Sequence, residues 1–173
     1  DGVSYQFVTT SEHTTNLSNG VLAFNSIPIY EGTYVTNRYT VDNQNLEQKF
    51  TLNDENADTT TLLVDVFETS TSTSSTTFTL ATDLTKVTQS SNVYYLQESI
   101  DGKFEVYFGD GITGKALSDN NIVRLRYVVT NKTIANGASS FTTSSAISSI
   151  TDLEILTVDV ASGGAERESI QSI

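Results

Sequence analysis

The chain has 173 residues, a formal net charge of -12 at pH 7 and no cysteine or methionine. Its nine lysine and arginine residues are spread along the sequence. We therefore expect no nucleic-acid partner and no anionic membrane partner, because both need a concentrated basic surface. Without cysteine there can be no disulfide and no thiolate metal ligand. The lack of methionine even at position 1 is what we expect of an excerpt from a longer protein.

The first half of the chain reads as a series of short strands. VSYQFVTT at 3–10 is extended in character, and VLAFNSIPIY at 21–30 is a strand candidate in which Pro28 favours an edge position or a bulge. TYVTNRYTV at 33–41 alternates and completes a hairpin with it. TTLLVDVFE at 60–68 has a continuous apolar centre, which is typical of a strand buried on both faces.

The second half continues this pattern. FEVYF at 104–108 and IVRLRYVV at 122–129 alternate, LEILTVDV at 153–160 is a further strand, and AERESIQSI at 165–173 has the spacing of a helix start. Helical spacing is absent elsewhere. The pattern predicts a mainly β fold, with an antiparallel β-sandwich-like domain and a short helix starting at the C-terminus.

A glycine-rich segment follows the strand at 104–108. Gly109, Asp110, Gly111 and Gly114 tolerate positive φ and predict a structural turn. The same residues match two nucleotide-binding signatures, G-x-G-x-x-G and G-x-x-x-x-G-K. Ala116 stands where a phosphate loop needs a hydroxyl, and no helix pattern follows whose amides would face a phosphate. We therefore interpret the segment as a turn and expect no nucleotide or other cofactor.

Five segments carry a resemblance to a known family. They are IYEGTYVT at 29–36, VYYLQES at 93–99, YFGDGITGKAL at 107–117, IANGASSF at 134–141 and SGGAERESI at 162–170. In this order they resemble the baseplate wedge proteins of contractile-tailed (T4-like) bacteriophages, related to the baseplate J group. One departure is that Asn131 and Lys132 stand where a glycine would be expected after Thr130, although Asn tolerates a left-handed turn.

The resemblance implies a discontinuous domain organisation. In related baseplate proteins the segment similar to VSYQFVTT directly precedes the one similar to ANGASSF, unless a β-rich domain is inserted between them. We therefore predict an outer, β-containing domain of residues 1–17 plus 134–173, with an inserted β-rich domain at 18–133.

The resemblance also implies a function. Such a protein is a structural component of the baseplate wedge, which is located in the virion, assembled in the host cytoplasm, and is not an enzyme. Its partners would be a second copy, forming a homodimer in the full-length protein, and other wedge proteins. An alternative is a glycan-binding or adhesive β module of a cell-surface protein, with which the Ser/Thr-rich, cysteine-free, acidic composition is also consistent. Exposed tyrosines can stack on sugars, but ordinary packing explains Tyr94, Tyr95, Tyr107 and Tyr127 equally well.

Two arginines stand out in so acidic a chain. Arg124 and Arg126 lie on one face of their strand. A carboxylate on an adjacent strand, Glu105 or Glu98, would pair with them. The functional alternative is an interface at which they meet an acidic partner, including another copy of this chain.

No residue pattern predicts a catalytic or metal site. His13 is the single histidine, so a Ser-His-Asp triad has a poor candidate base. Carboxylates are abundant without forming a recognisable glycosidase pair. Asp54, Glu55 and Asp58 offer oxygen ligands but lack the spacing of an EF-hand, and we favour a solvated turn over a calcium site.

Overall fold

The computed structural model describes residues 3–45, 47–143, 146–147, 150 and 153–166. The chain divides into two compact units. The smaller unit combines Asp1–Glu31 with Asn131–Ile173, and the larger unit is Gly32–Thr130. The domain boundaries at 17/18 and 133/134 stay a prediction.

Strands account for nearly all regular structure in the described residues. The smaller unit contains β1 (Phe7–Val8), β2 (Leu17–Ser18), β3 (Val21–Leu22) and β4 (Tyr30–Glu31), which pair as β1 with β4 and β2 with β3. The larger unit contains β5 (Thr33–Thr40), β6 (Phe50–Thr51), β7 (Ala57–Phe67), β8 (Thr76–Leu80), β9 (Val93–Glu98), β10 (Phe104–Phe108) and β11 (Ile122–Val129), with one 3₁₀ turn at Leu84–Lys86. The mainly β class is thus confirmed.

The seven strands of the larger unit form one sheet in the order β5-β11-β7-β8-β9-β10-β6. All neighbours are antiparallel except β8 and β9, which are parallel. The sheet is nearly closed into a barrel: at its two edges the Tyr39 hydroxyl of β5 donates to the Thr51 carbonyl of β6 at 2.5 Å. Tyr39 also contacts the Phe50 ring, with centroids 5.6 Å apart. The predicted sandwich differs from this sheet because alternation shows which face of a strand is buried and leaves strand order open.

The core lies inside this curved sheet. Val123, Leu125 and Tyr127 of β11 are fully buried, as are Val64 of β7 and Val106 of β10. The two-sided burial predicted for TTLLVDVFE agrees with the structure, since residues of both alternating sets in β7 are buried. Alternation along β11 therefore sends one set of side chains into the core and the other to the outer face.

A buried tyrosine hydroxyl helps to close the sheet. The Tyr127 hydroxyl accepts a hydrogen bond from the Asn53 backbone N–H and donates to Asn37 Oδ1, both at 3.1 Å. Burial raises the pKa of Tyr127. One side chain of β11 thus connects β5 with the segment after β6, at the two edges that share no strand ladder.

In the smaller unit, the two segments IANGASSF and SGGAERESI bind each other. The Asn136 amide donates to the Gly164 carbonyl at 2.8 Å and accepts from the Gly164 N–H at 3.0 Å. A Cβ on Gly164 would lie 2.1 Å from the Lys132 carbonyl oxygen, so this close approach requires glycine. The Phe7 ring of β1 meets Phe141 edge-on at 5.1 Å.

The turn after Thr130 forms without the expected glycine. Lys132 has a φ of 62°, in the left-handed region. Beside it, Asn131 donates its backbone N–H and its side-chain amide to the Glu31 carboxylate, at 2.9 and 2.6 Å. These two bonds to a carboxylate hold the turn in place and offset the cost of a positive φ in a non-glycine residue.

Two predicted elements of the C-terminal part have other outcomes. The segment at 153–160 has no strand assignment and pairs with no described strand, and its Thr157 hydroxyl donates to the Ser139 carbonyl at 3.1 Å. The predicted C-terminal helix falls mostly on residues 167–173, which lie outside the described residues. Within the described part of the chain, no helix has the length and apolar character needed to cross a membrane.

We predict that Tyr127→Phe lowers the free energy of unfolding by about 1 to 3 kcal/mol, because the buried Asn53 N–H and the Asn37 side chain lose their shared partner. Urea denaturation followed by far-UV circular dichroism measures the change. Tyr107→Phe is the matched control, since the structure gives its hydroxyl no hydrogen-bond partner among the described residues. Equal stability of the two variants would contradict the role of Tyr127.

Candidate functional site

Three arginines lie together on the outer face of the larger unit. Arg38 of β5 stands directly opposite Arg124 of β11 in the strand register, and Arg126 follows two residues later on the same face. Arg38 is exposed, whereas Arg124 and Arg126 are half-buried. We call Arg38, Arg124 and Arg126 the arginine cluster.

A single buried carboxylate holds two members of the cluster. Asp65 of β7 is 3% exposed, and its Oδ2 accepts from Nη2 of Arg124 at 2.9 Å and from Nη2 of Arg126 at 2.8 Å. Its Oδ1 accepts from the Thr77 hydroxyl of β8 at 2.9 Å. All three donors are needed to offset the cost of removing a carboxylate from water.

The pairing partner therefore differs from the two carboxylates expected from sequence. Glu105 lies on β10 and binds Lys49 at 3.1 Å and Gln97 at 2.8 Å. Glu98 lies at the end of β9, which is not a neighbour of β11 in the sheet. The strand beside β11 is β7, so Asp65 takes the position opposite Arg124.

The ion pairs change the acidity of Asp65. Burial raises the pKa of this carboxyl, but the hydrogen bonds from Arg124, Thr77 and Arg126 lower it by more, so its pKa lies below the ordinary 3.8. Asp65 is therefore ionised at neutral pH and keeps the two guanidinium groups in place.

An aromatic ring completes the outer face. Phe67 of β7 is buried although it lies on the side away from the core. The Arg124 guanidinium carbon is 4.8 Å from its ring centroid, and that of Arg38 is 5.4 Å away. Cation–π contact with two guanidinium groups thus fixes both arginines over one ring.

Sequence reasoning identified Arg124 and Arg126 but missed Arg38, Asp65 and Phe67. A signal for Asp65 was present, since one aspartate inside the apolar run LLVDVF must find a cationic partner if the strand is buried. No comparable signal marked Arg38, because its position beside Arg124 depends on a strand pairing across more than eighty residues.

The glycine loop at 109–115 is a compact turn. Asp110 Oδ1 accepts from the N–H groups of Ile112 and Thr113, both at 2.9 Å, which lowers the pKa of the Asp110 carboxyl. Gly111 has a φ of 87° and donates its N–H to the Gly114 carbonyl at 3.0 Å. The loop leads to no helix before β11; the amides of Gly111, Ile112 and Thr113 donate within the turn, and that of Lys115 donates to the Ser91 carbonyl at 2.9 Å.

Gly109 is required for a different reason. A Cβ at this position would lie 2.5 Å from the carbonyl carbon and oxygen of Gly114. The two ends of the loop therefore touch backbone to backbone, which only a residue without a side chain allows. The Tyr95 hydroxyl donates to the Thr113 carbonyl at 2.7 Å and fastens the loop to β9.

The four tyrosines considered as a sugar-stacking row divide between two faces. Tyr94 and Tyr127 are buried in the core. Tyr95 and Tyr107 lie on the outer face and stack on each other, with centroids 5.2 Å apart and planes inclined by 21°. Each ring therefore covers part of the other, and the four do not present one exposed row.

The acidic residues considered as calcium ligands accept hydrogen bonds within their own turns. Asp54 Oδ1 accepts from the Asn56 N–H at 2.8 Å, and Asp58 Oδ1 from the Thr60 N–H at 2.9 Å, as is usual for turn residues. Among the residues that the structure describes, no group of three or more His, Cys, Asp or Glu side chains is close enough to hold a metal.

His13 has a hydroxyl neighbour but no orienting group. Its Nε2 lies 3.3 Å from the Ser11 hydroxyl, and both side chains are in an exposed segment. Nucleophilic catalysis by serine also needs a third group that orients the imidazole. Within the described ranges, His13 has no such carboxylate partner.

Comparisons with known proteins agree with one another. Residues 36–140 match the sequence model of a family described as bacteriophage baseplate wedge protein gp6, third domain. The chain is also similar to the baseplate wedge protein gp6 of Enterobacteria phage T4, with 32% identity over 80 residues. That match covers 38% of this chain and only 12% of the T4 protein.

We predict that Asp65→Asn lowers the free energy of unfolding at pH 7 by about 3 kcal/mol, because two half-buried guanidinium groups lose their carboxylate. The folded-state pKa of Asp65 lies below its unfolded value. Its contribution is therefore complete above the unfolded value and is lost as the pH falls through the folded-state pKa. The deficit of the variant relative to the wild type should shrink below about pH 3.8.

Urea denaturation between pH 2.5 and pH 7, roughly spanning the carboxyl range, tests this. Asp83→Asn is the matched control, since Asp83 pairs with Lys86 at 3.0 Å on the exposed surface, where solvent screens the pair. A deficit of the Asp65 variant that is independent of pH would show that packing, not charge, is what Asp65 contributes.

We further predict that Gly109→Ala costs about 3 kcal/mol of stability, because the added methyl group would force the two ends of the loop apart. Gly111→Ala should cost only about 1 kcal/mol, since its Cβ meets nothing closer than Ala116 Cβ at 3.9 Å and only the positive φ is unfavourable. Thermal or urea unfolding compares the two, and a larger loss for Gly111→Ala would refute this account of the loop.

Proposed function

Because the chain belongs to the family of the bacteriophage baseplate wedge protein gp6, third domain, we propose that it is a structural component of a contractile-tail baseplate wedge. In this proposal it mediates contacts between subunits in the baseplate ring and performs no catalysis. The matched region includes the whole seven-stranded sheet apart from the first residues of β5. The sheet would serve as a rigid body that holds its outer side chains at fixed positions.

The observation that carries this proposal is the distribution of apolar side chains. Among the described residues, every buried apolar side chain except Ala135 belongs to the larger unit. Most exposed large apolar side chains belong to the smaller unit, where Leu156 is 77% and Val158 is 80% exposed. A contiguous chain segment with such exposure is typical of a surface that binds another polypeptide.

The backbone around these side chains supports the same proposal. Residues 153–160 have strand composition, yet no described strand pairs with them. Backbone groups that pair with no described strand, next to exposed apolar side chains, favour pairing with a strand of another polypeptide. The smaller unit therefore supplies both apolar area and hydrogen-bonding groups for a subunit contact.

The family supports a proposal for the partners and the location. We propose that the full-length protein contacts a second copy and other wedge proteins, is located in the tail of the virion, and is assembled in the host cytoplasm. We also propose that residues 18–133, which contain the larger unit, are a domain inserted into an outer domain that is related to the baseplate J group. The discontinuous composition of the smaller unit supports this arrangement.

We predict that the chain self-associates as its concentration rises and that Leu156→Glu weakens this association at least tenfold, because a buried carboxylate without a partner opposes burial of the surface. Sedimentation equilibrium over a wide concentration range, with and without calcium, measures it. Calcium should have no effect.

Ile112→Glu is the matched control, since Ile112 is 76% exposed and lies in the larger unit. Its self-association should equal that of the wild type. A wild-type chain that remains monomeric at every concentration, or two variants that behave alike, would contradict a self-contact through the smaller unit.

A further inference from the structure

We propose that the arginine cluster is a binding site for an extended segment of another protein that carries carboxylates at alternate positions. This inference deepens the assembly role proposed above and rests on it for the biological setting. The cluster itself is argued from charge, register and spacing in the larger unit alone.

The charges of the cluster are not balanced within the described part of the chain. The cluster contains three guanidinium groups, and within the described part of the chain Asp65 is the one carboxylate that forms ion pairs with them. Asp65 contacts Arg124 and Arg126 through the same oxygen, and Arg38 has no ion pair there. A net positive site thus persists on a chain whose net charge is -12.

The arrangement of the cluster is unfavourable in the isolated chain. Arg38 and Arg124 stand directly opposite each other in the ladder, and like charges at such positions destabilise a sheet. Acidic residues are more than twice as frequent as basic ones in the chain, yet no second carboxylate is paired with the cluster among the described residues. An anionic partner would remove the repulsion between Arg38 and Arg124. Relief of this repulsion would contribute to the free energy of binding.

The arginines of the cluster are preorganised by their neighbours. Phe67 holds the guanidinium groups of Arg38 and Arg124 over its ring, and Asp65 holds those of Arg124 and Arg126. The arginines therefore lose little conformational freedom when a ligand binds. Planar guanidinium groups held in this way favour carboxylates, with which they form paired hydrogen bonds.

The spacing specifies the ligand further. Arg124 and Arg126 are two residues apart on a strand, so their Cα atoms are about 7 Å apart. An extended peptide repeats side chains on one face at the same interval. Carboxylates at positions i and i+2 would therefore face Arg124 and Arg126, while Arg38 broadens the site across the neighbouring strand.

Two other occupants fit less well. A nucleic acid would place a run of phosphates against a chain with 21 acidic residues and only a local group of cations. A second copy of this chain brings the same net charge of -12, which opposes approach at this polar surface. Both kinds of electrostatic repulsion are smaller for an acidic segment of a different subunit.

The test uses the intact chain and two capped peptides of equal composition. One is Thr-Glu-Thr-Glu-Thr-Glu-Thr, with alternating carboxylates, and the other is Glu-Glu-Thr-Thr-Glu-Thr-Thr, which has none two positions apart. NMR titration, followed at the arginine Nε signals, measures each Kd. We expect the alternating peptide to bind about fivefold more tightly and to weaken as salt shortens the Debye length below about 10 Å.

Arg38→Gln should weaken binding of the alternating peptide about fivefold, because one charge-assisted contact is lost. This variant leaves the ion pairs of Asp65 intact. Lys86→Gln is the control that removes the same charge elsewhere in the larger unit and should bind like the wild type. Arg126→Lys, which keeps the charge but not the planar fork, should weaken binding without unfolding the chain.

Equal affinity for the two peptides, or an Arg38→Gln variant that binds as tightly as the wild type, would overturn the proposal. So would a thymidine tetramer, with the same number of charges, that binds as tightly as the alternating peptide. Self-association that is lost in Arg38→Gln would assign the site to a second copy and likewise overturn it. Peptide binding is measured at concentrations at which the chain is monomeric. A negative result would then contradict the arginine site without bearing on the subunit contact at Leu156.

Discussion

The larger unit depends on β11, the strand that pairs along most of its length with β5 on one side and β7 on the other. Its inward side chains, Val123, Leu125 and Tyr127, are fully buried and form the centre of the core. Its outward side chains include the two arginines held by Asp65. A shift of one residue in its register would exchange these two sets and place guanidinium groups in the core. The register of β11 therefore determines both the core and the arginine cluster.

The sheet is closed by side chains where its backbone ladder stops. β5 and β6 are its two edges, and they are joined by hydroxyl groups of Tyr39 and Tyr127 and by the contact of Tyr39 with Phe50. A buried tyrosine can do this because its ring adds to the apolar core while its hydroxyl satisfies polar groups at the edge. The closed arrangement protects strand edges and leaves the outer face to carry polar function.

The two units differ in how they use apolar residues. The larger unit buries thirteen apolar side chains in one cluster, whereas the smaller unit contains contacts between side chain and backbone such as that of Asn136 with Gly164. Its exposed leucine, isoleucine and valine side chains contribute little to its own stability. For a baseplate component this division suits the proposed role, with a rigid sheet and a separate surface for association.

By itself the sequence determined the mainly β class and the positions of β5, β7, β10 and β11, and it favoured a turn over a phosphate loop for the glycine segment. These are local properties, since alternation, β-branched composition and the missing hydroxyl at Ala116 act over a few residues. The family resemblance rested on segments that could likewise be read along the chain.

Only the tertiary structure decided the strand order, the near closure of the sheet and the partners of the arginines. Arg38, Asp65 and Arg124 are distant in sequence, and their contact follows from which strands become neighbours. Alternation cannot choose those neighbours, because every strand with one apolar face satisfies it equally. The choice is made by packing of the whole core, and for that reason Asp65 rather than Glu105 or Glu98 meets the arginines.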